Sequence, residues 1–211
     1  PNSSPLRLYE AIRRITSQVG KALLHLHQLG VAYGRLVPSN ILFVEDQDSC
    51  LDIKLSGIGY AVAAQYYQGI YIKDSNVLAP ESNPLRGRGL SDSAEELKEK
   101  RLDGSQSFLF RINPQKFMPS DDAWSIGILL YTLLRGEVPF PWDIRDRYNL
   151  IESGIAPTGL EPDQPLDSHD LITPAGRDLI SQLLRRDPKA RMPLADIFKH
   201  PFFQQSPEEV Q

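Results

Sequence analysis

The stretch Asp122-Ala-Trp-Ser-Ile-Gly-Ile-Leu-Leu-Tyr-Thr-Leu-Leu-Arg135 constrains the fold more than any other part of the chain. At 3.6 residues per turn its apolar side chains point to nearly every side, so the helix has no polar face to give to water. Such a helix belongs in the middle of a core, with other elements packed around it. It cannot be a membrane span, because a bilayer needs about 20 consecutive apolar residues. The 211 residues, 41% hydrophobic and 24% charged, suffice for one such core, and one globular domain over 1–211 is expected.

The elements that could surround this helix are legible in order. Ile12, Ile15, Val19, Leu23 and Leu26 recur at three- and four-residue spacing, which predicts a helix from about Leu8 to Gln28 that stops at Gly30. After a loop at 31–39, Ile41 to Val44 and Cys50 to Leu55 read as two short strands joined by a polar turn, a hairpin. Ser56-Gly-Ile-Gly59 follows; a lone G-x-G is a weak phosphate-loop signal and reads equally as a turn. Residues 60–78 show little periodicity. Ser91 to Arg101 has a polar N-cap, early acids and late bases, which suits a helix dipole, but it has few apolar anchors. A helix is expected over Pro141 to Ile155, then a loop over Ala156 to Ser168. Thr173 followed by Pro174 opens another helix that buries Leu179, Ile180, Leu183 and Leu184, and Leu194 to Phe203 forms a closing helix. The fold class is mainly α with a small β-hairpin.

Charge and cysteine content exclude several functions. A net charge of -4 gives no broad electrostatic case for binding nucleic acid or an anionic membrane. The single cysteine, Cys50, rules out an internal disulfide and fits a reducing compartment. His25 and His27 lie two apart, on different faces of the first helix, a poor geometry for holding a metal together. The chain opens on Pro1, not Met, and is expected to be a piece of a longer protein with any targeting signal upstream.

Four ordered blocks carry a family resemblance. Val31-Ala-Tyr-Gly-Arg-Leu-Val-Pro-Ser-Asn-Ile-Leu-Phe43 resembles the protein kinase catalytic loop, roughly I-V-H-R-D-L-K-P-E-N-I-L-L. Ser56 to Gly59 stands where kinases carry D-F-G, and Ala79-Pro80-Glu81 follows Gly59 by 20 residues, close to the kinase separation of D-F-G from A-P-E. Asp122 to Phe140 resembles D-V-W-S-x-G-x-x-x-Y-x-L-L-x-G-x-x-P-F. Arg185 to Arg191 and the ending at Phe203 resemble L-L-x-x-D-P-x-x-R and H-P-F/W-F. The chain is therefore similar to the large C-terminal lobe of a protein kinase, in a style near the calcium/calmodulin-dependent and calcium-dependent kinases. The Gly-rich loop and V-A-I-K lysine of the small N-lobe cannot be placed in it.

The resemblance implies roles and gaps. Tyr33, Gly34 and Arg35 occupy the H-R-D places, Val37 replaces the catalytic-loop lysine, and Gly57 stands at the magnesium-binding aspartate. Arginine, with a pKa above about 12, is no general base. Asn40 is the one residual cofactor-binding candidate. Asp122 is implied to accept backbone N–H groups of the Tyr33 to Arg35 loop, and Arg191 to pair with Glu81. The expectation is a pseudokinase, not an enzyme, with no catalytic residues, no metal and no cofactor. It would serve as a protein-binding or structural scaffold within a larger complex, without nucleic acid or membrane insertion, cytoplasmic or cytoskeleton-associated. A nucleotide-sensing pseudokinase and an atypical Ser/Thr kinase are the alternatives. Forty-one positions separate Glu81 from Asp122, many more than in kinases, so 82–116 reads as an insertion. Leu90, Leu97, Phe108 and Phe110 are its candidate partner-binding residues.

Overall fold

Three helices, α1 (Pro5–Gln28), α2 (Pro119–Arg135) and α3 (Pro174–Leu183), build the core, and α2 packs against both of the others. The computed structural model of the chain describes residues 5–34, 36–45, 51–58, 70–72, 98–100, 106–108, 110–112, 118–140 and 171–204, with the single positions 80, 153, 157 and 160. The described elements also include six short strands and a small final helix, α4 (Pro201–Gln204).

α2 is the buried centre that its all-round apolar pattern demands. Ile126, Leu130 and Tyr131 have no exposed surface, and Trp124 has almost none. The helix starts at Pro119, earlier than the apolar run, because proline suits a first turn whose N–H groups lack intrahelical partners. The Asp121 carboxylate reaches back to accept the Met118 N–H at 3.0 Å. At the other end Gly136, at φ 75, donates its N–H to the Thr132 carbonyl at 2.8 Å.

α1 lays Tyr9, Ile12, Ile15, Val19, Leu23 and Leu26 on the core. It begins at Pro5, three residues before the expected Leu8. Burial pushes the Tyr9 phenol above its usual pKa, and its hydroxyl lies 3.1 Å from Thr173 Oγ1 at the start of α3. Thr173 caps α3, accepting the Gly176 N–H at 3.0 Å. The expected closing helix over Leu194 to Phe203 is corrected to a 3-10 turn, Leu194–Lys199, followed by α4. Proline at 201 disfavours helical backbone in the residue before it, and His200 is extended at φ -69, ψ 142.

Gly127 of α2 packs tightly against the end of α3. A Cβ there would lie 2.7 Å from Leu184 Cδ2 and 3.0 Å from Leu183 Cβ. Gly127→Ala is therefore expected to destabilise the fold by about 1–3 kcal/mol despite its better helix propensity, since overpacking forces neighbours off their rotamers. Urea denaturation reads this as a lower midpoint at unchanged slope. An unchanged midpoint would mean that the helices have room to spare.

Strands β1 (Ile41–Glu45) and β2 (Leu51–Leu55) form the expected antiparallel hairpin, with Phe43 opposite Ile53. Ile41 is buried, and Ile53 and Leu55 pack on the core. Gln18 of α1 accepts the Ile53 N–H at 3.0 Å, which fixes the hairpin on the helix. The exposed Arg14–Asp52 pair at 2.9 Å adds little, since such pairs are worth about 0–1 kcal/mol.

Two further antiparallel pairs were not foreseen. β3 (Ile70–Ile72) pairs with β6 (Phe110–Ile112), and β4 (Lys98–Lys100) pairs with β5 (Gln106–Phe108). The helix expected over Ser91 to Arg101 is thus wrong at residues 98–100. Its dipole polarity favours a helix only weakly, and with few apolar anchors a helix gains no packing there, whereas the ladder satisfies backbone groups. The stretch read as irregular at 60–78 likewise contains β3. The helix expected over Pro141 to Ile155 lies outside the described residues except at Ser153.

Candidate functional site

The loop after α1 is held by a carboxylate from the first turn of α2. Val31 donates its N–H to the Leu26 carbonyl at 2.9 Å, turning the chain off the helix end. Tyr33 and Gly34 then aim successive backbone N–H groups at the two oxygens of Asp122, each at 2.8 Å. His27, in the last turn of α1, places Nε2 2.7 Å from Asp122 Oδ2, and the Asp122 side chain has no exposed surface. A buried carboxylate is tolerable only when hydrogen-bonded in this way. Gly34 sits at φ 67, a left-handed conformation that glycine adopts without strain.

The other side of the loop is tied to the end of β2. The buried Tyr33 ring sends its hydroxyl to the Ser56 carbonyl, donating at 2.6 Å. Ser56 in turn donates its N–H to the Asn40 carbonyl at 2.8 Å. Asn40 ends a short 3-10 turn, Pro38–Asn40, and its side-chain amide lies against Gly57. Val37, expected from the sequence to replace the kinase lysine, is buried and apolar.

Four segments that are distant in sequence therefore meet: the end of α1, the loop, the start of α2 and the end of β2. Tyr33, Gly34, Val37, Asn40, Gly57 and Asp122 are the singled-out residues on these segments. Arg35, Glu81, Leu90 and Leu97 lie outside the described residues, and so does the expected Arg191 to Glu81 pair. Phe108 and Phe110 fall in β5 and β6, away from the sequence neighbourhood of this loop.

Arg191 itself is almost wholly buried. Its guanidinium donates to the carbonyls of Ser120 at 2.7 Å, Arg185 at 3.0 Å and Arg186 at 3.4 Å, and it lies 5.1 Å from the centroid of the Trp124 ring. Trp124 stacks on Phe140 at 5.8 Å. The arginine joins the segment after α3 to the start of the central helix. Two residues of the site were missed in the sequence, His27 and Ser56. His27 was weighed against a metal role with His25 and read as an ordinary core or surface histidine, although its position in the last turn of α1 lets it reach the following loop.

The kinase resemblance implies a magnesium nucleotide, and the residues present do not fit the metal. Asn40 offers one neutral oxygen and Gly57 no side chain, whereas hard cations take several oxygens, carboxylates among them. Among the described residues no group of three or more His, Cys, Asp or Glu could hold a metal ion. No described helix is long and apolar enough to cross a membrane.

Comparison with known proteins places this geometry. The family model described as "Protein kinase domain" matches residues 72–203, more than half of the chain. Serine/threonine-protein kinase RAD53 of Saccharomyces cerevisiae is 28% identical over 199 residues, covering 94% of this chain and 22% of that protein. Ribosomal protein S6 kinase alpha-2 of Mus musculus is 27% identical, covering 87% and 21%. The chain thus spans about a fifth of the length of these relatives. A crystal structure of the Rad53 kinase domain and SCD2 in complex with AMPPNP superposes with a TM-score of 0.61 at 22% identity, covering 96% of this chain and 62% of that one. A structure of Rad53 1-466 in complex with AMP-PNP gives 0.58 at 22% identity, covering 92% and 40%.

These findings correct one expectation from the sequence. The chain was expected not to be an enzyme, and with that went a purely scaffolding role; yet the matched family is that of the kinase domain, and the relatives bear the names of kinases. The physical reason is that phosphoryl transfer depends mainly on positioning and electrostatics. The frame around Asp122 keeps the positioning part, whereas the expectation had weighed only the residue types at 33–37 and 57. With the fold and the matched model in agreement, the chain belongs to the protein kinase domain family.

Proposed function

We propose that the chain carries the large-lobe elements of an atypical serine/threonine protein kinase that transfers a phosphoryl group to a protein hydroxyl. The observation that carries this reading is the clamp of Asp122 on the Tyr33 and Gly34 amides, which holds the loop in shape with Asn40 at its end. The Tyr33 hydroxyl on Ser56 fixes the loop against the segment where Gly57 lies. In this reading Asn40 meets the phosphates of the donor, and the loop backbone positions the acceptor.

Arg35 in place of an acid sets the rate. General-base catalysis is worth about 10²–10⁴-fold, so turnover is expected to fall below the roughly 1–100 s⁻¹ of ordinary kinases by about that factor. The test is transfer of γ-labelled phosphate to a serine/threonine peptide library by the full chain. Slow transfer that is lost in Asn40→Ala supports the reading; absence of transfer, or transfer indifferent to Asn40→Ala, overturns it.

The same reading gives the protein other proteins as partners, its substrate first. The insertion at 82–116, whose strands pair with each other and with β3, is assigned to docking, as are the exposed Leu42, Phe43 and Ile58 beside the hairpin. The D-P-x-x-R and H-P-x-F segments, Asp187 to Arg191 and His200 to Phe203, support a style near the calcium/calmodulin-dependent kinases. A cytoplasmic or cytoskeletal setting accords with the single cysteine.

A further inference from the structure

Asn40 and Gly57 also determine in what form a nucleotide can enter this site, an inference that rests on the kinase reading above. Gly57 has φ +76, a conformation that side-chain-bearing residues rarely adopt. A Cβ built on it would lie 3.2 Å from Asn40 Nδ2, 3.4 Å from Cγ and 3.5 Å from Oδ1. The three distances are nearly equal, so the amide lies with its face against the glycine. A side chain at position 57 would press on it, and the amide would have to give by a few tenths of an ångström.

The backbones on both sides of this contact are tied together. The Asn40 carbonyl accepts the Ser56 N–H at 2.8 Å, and the Ser56 carbonyl accepts the Tyr33 hydroxyl at 2.6 Å. The Asn40 backbone is thus joined to Ser56, the residue before Gly57, which sets the two segments side by side.

Charge points the same way. Where carboxylates line a phosphate site, a divalent cation is needed to join two anionic partners. Here position 57 has no carboxylate and position 40 carries a neutral amide. Magnesium gives up its water reluctantly and demands near-octahedral oxygen ligands, so one amide oxygen gains it little.

We propose that this chain binds a nucleoside triphosphate as the free polyanion, with no divalent cation bridging it to the protein at Asn40 and Gly57. The experiment is a thermal-shift and calorimetric titration of the full chain with ATP, in EDTA and in excess magnesium. The expected result is an affinity in EDTA equal to or above that in magnesium, within about threefold. Binding that appears only with magnesium overturns the proposal and leaves the kinase reading standing; no binding in either condition overturns both.

A variant pair tests the steric cause separately. Gly57→Asp is expected to lower the melting temperature without making ATP binding magnesium-dependent, and Gly57→Asp combined with Asn40→Ala is expected to recover part of that loss. A Gly57→Asp protein that melts normally and needs magnesium for ATP would show that the amide gives way freely. If Gly57→Asp fails to fold alone, the titration of the unaltered chain still decides the proposal.

Discussion

Replacing Asp122 by alanine is expected to lower the unfolding free energy by about 3–5 kcal/mol, a large share of the roughly 5–15 kcal/mol that holds a domain folded. The carboxylate is wholly buried, accepts the Tyr33 and Gly34 amides at 2.8 Å each and meets His27 at 2.7 Å. Alanine leaves two backbone donors and an imidazole without their partner, and each buried orphan costs about 1–3 kcal/mol. Asp122→Asn keeps one acceptor oxygen for one of the two amides, so it should lose less. Urea denaturation checks both, as a lower midpoint at constant slope. The proposed phosphotransfer should fall in either variant even under conditions where it remains folded, because the loop has lost its clamp. A midpoint change worth less than about 1 kcal/mol in the alanine variant would show that water or a neighbour takes over the amides.

Replacing Arg191 by alanine is expected to cost about 3 kcal/mol. Hydrogen bonds to a charged group contribute about 1.5–3 kcal/mol each, though not additively, and Arg191 donates to three carbonyls while lying over Trp124. The face-on cation adds about 0.5–2 kcal/mol. Lysine is expected to be a poor substitute. It keeps the charge, but a single ammonium cannot present donors in a plane to carbonyls at Ser120, Arg185 and Arg186 while stacking on the indole. Denaturation of Arg191→Lys and Arg191→Ala measures the loss, and the folded variants should show red-shifted tryptophan emission as water reaches the ring. A lysine variant as stable as the original chain would place the contribution in charge alone.

What the sequence discloses depends on whether the cause is local. The buried helix α2 is legible because apolar residues on every side admit no other place for it, and the start of α3 because Thr173 and Pro174 cap it unaided. The break at His200 and Pro201 was legible too, in a proline that cannot continue the preceding turn, but helical periodicity on either side was given priority. β4 could not be read, since Lys98, Glu99 and Lys100 become a strand only when Gln106 to Phe108 lies alongside. The site divides in the same way. The loop and the Asp122 position follow from motif order, whereas the reach of His27 and the Tyr33 to Ser56 bond require knowing how α1 and β2 sit on one another.

The clamp on the loop also bears on how the protein folds. Asp122 is 89 positions from Tyr33 and 88 from Gly34 along the chain. Contacts of such long span are costly in chain entropy to close and slow the search for the native state, unlike the turns of α1, which close within a few residues. Local devices such as Gly34 and the turn at Pro38–Asn40 thus do not by themselves complete the geometry of the loop that carries the proposed chemistry. It takes shape only when α1 and α2 have docked, so a nascent chain that stops short of residue 122 has no Asp122 to shape it.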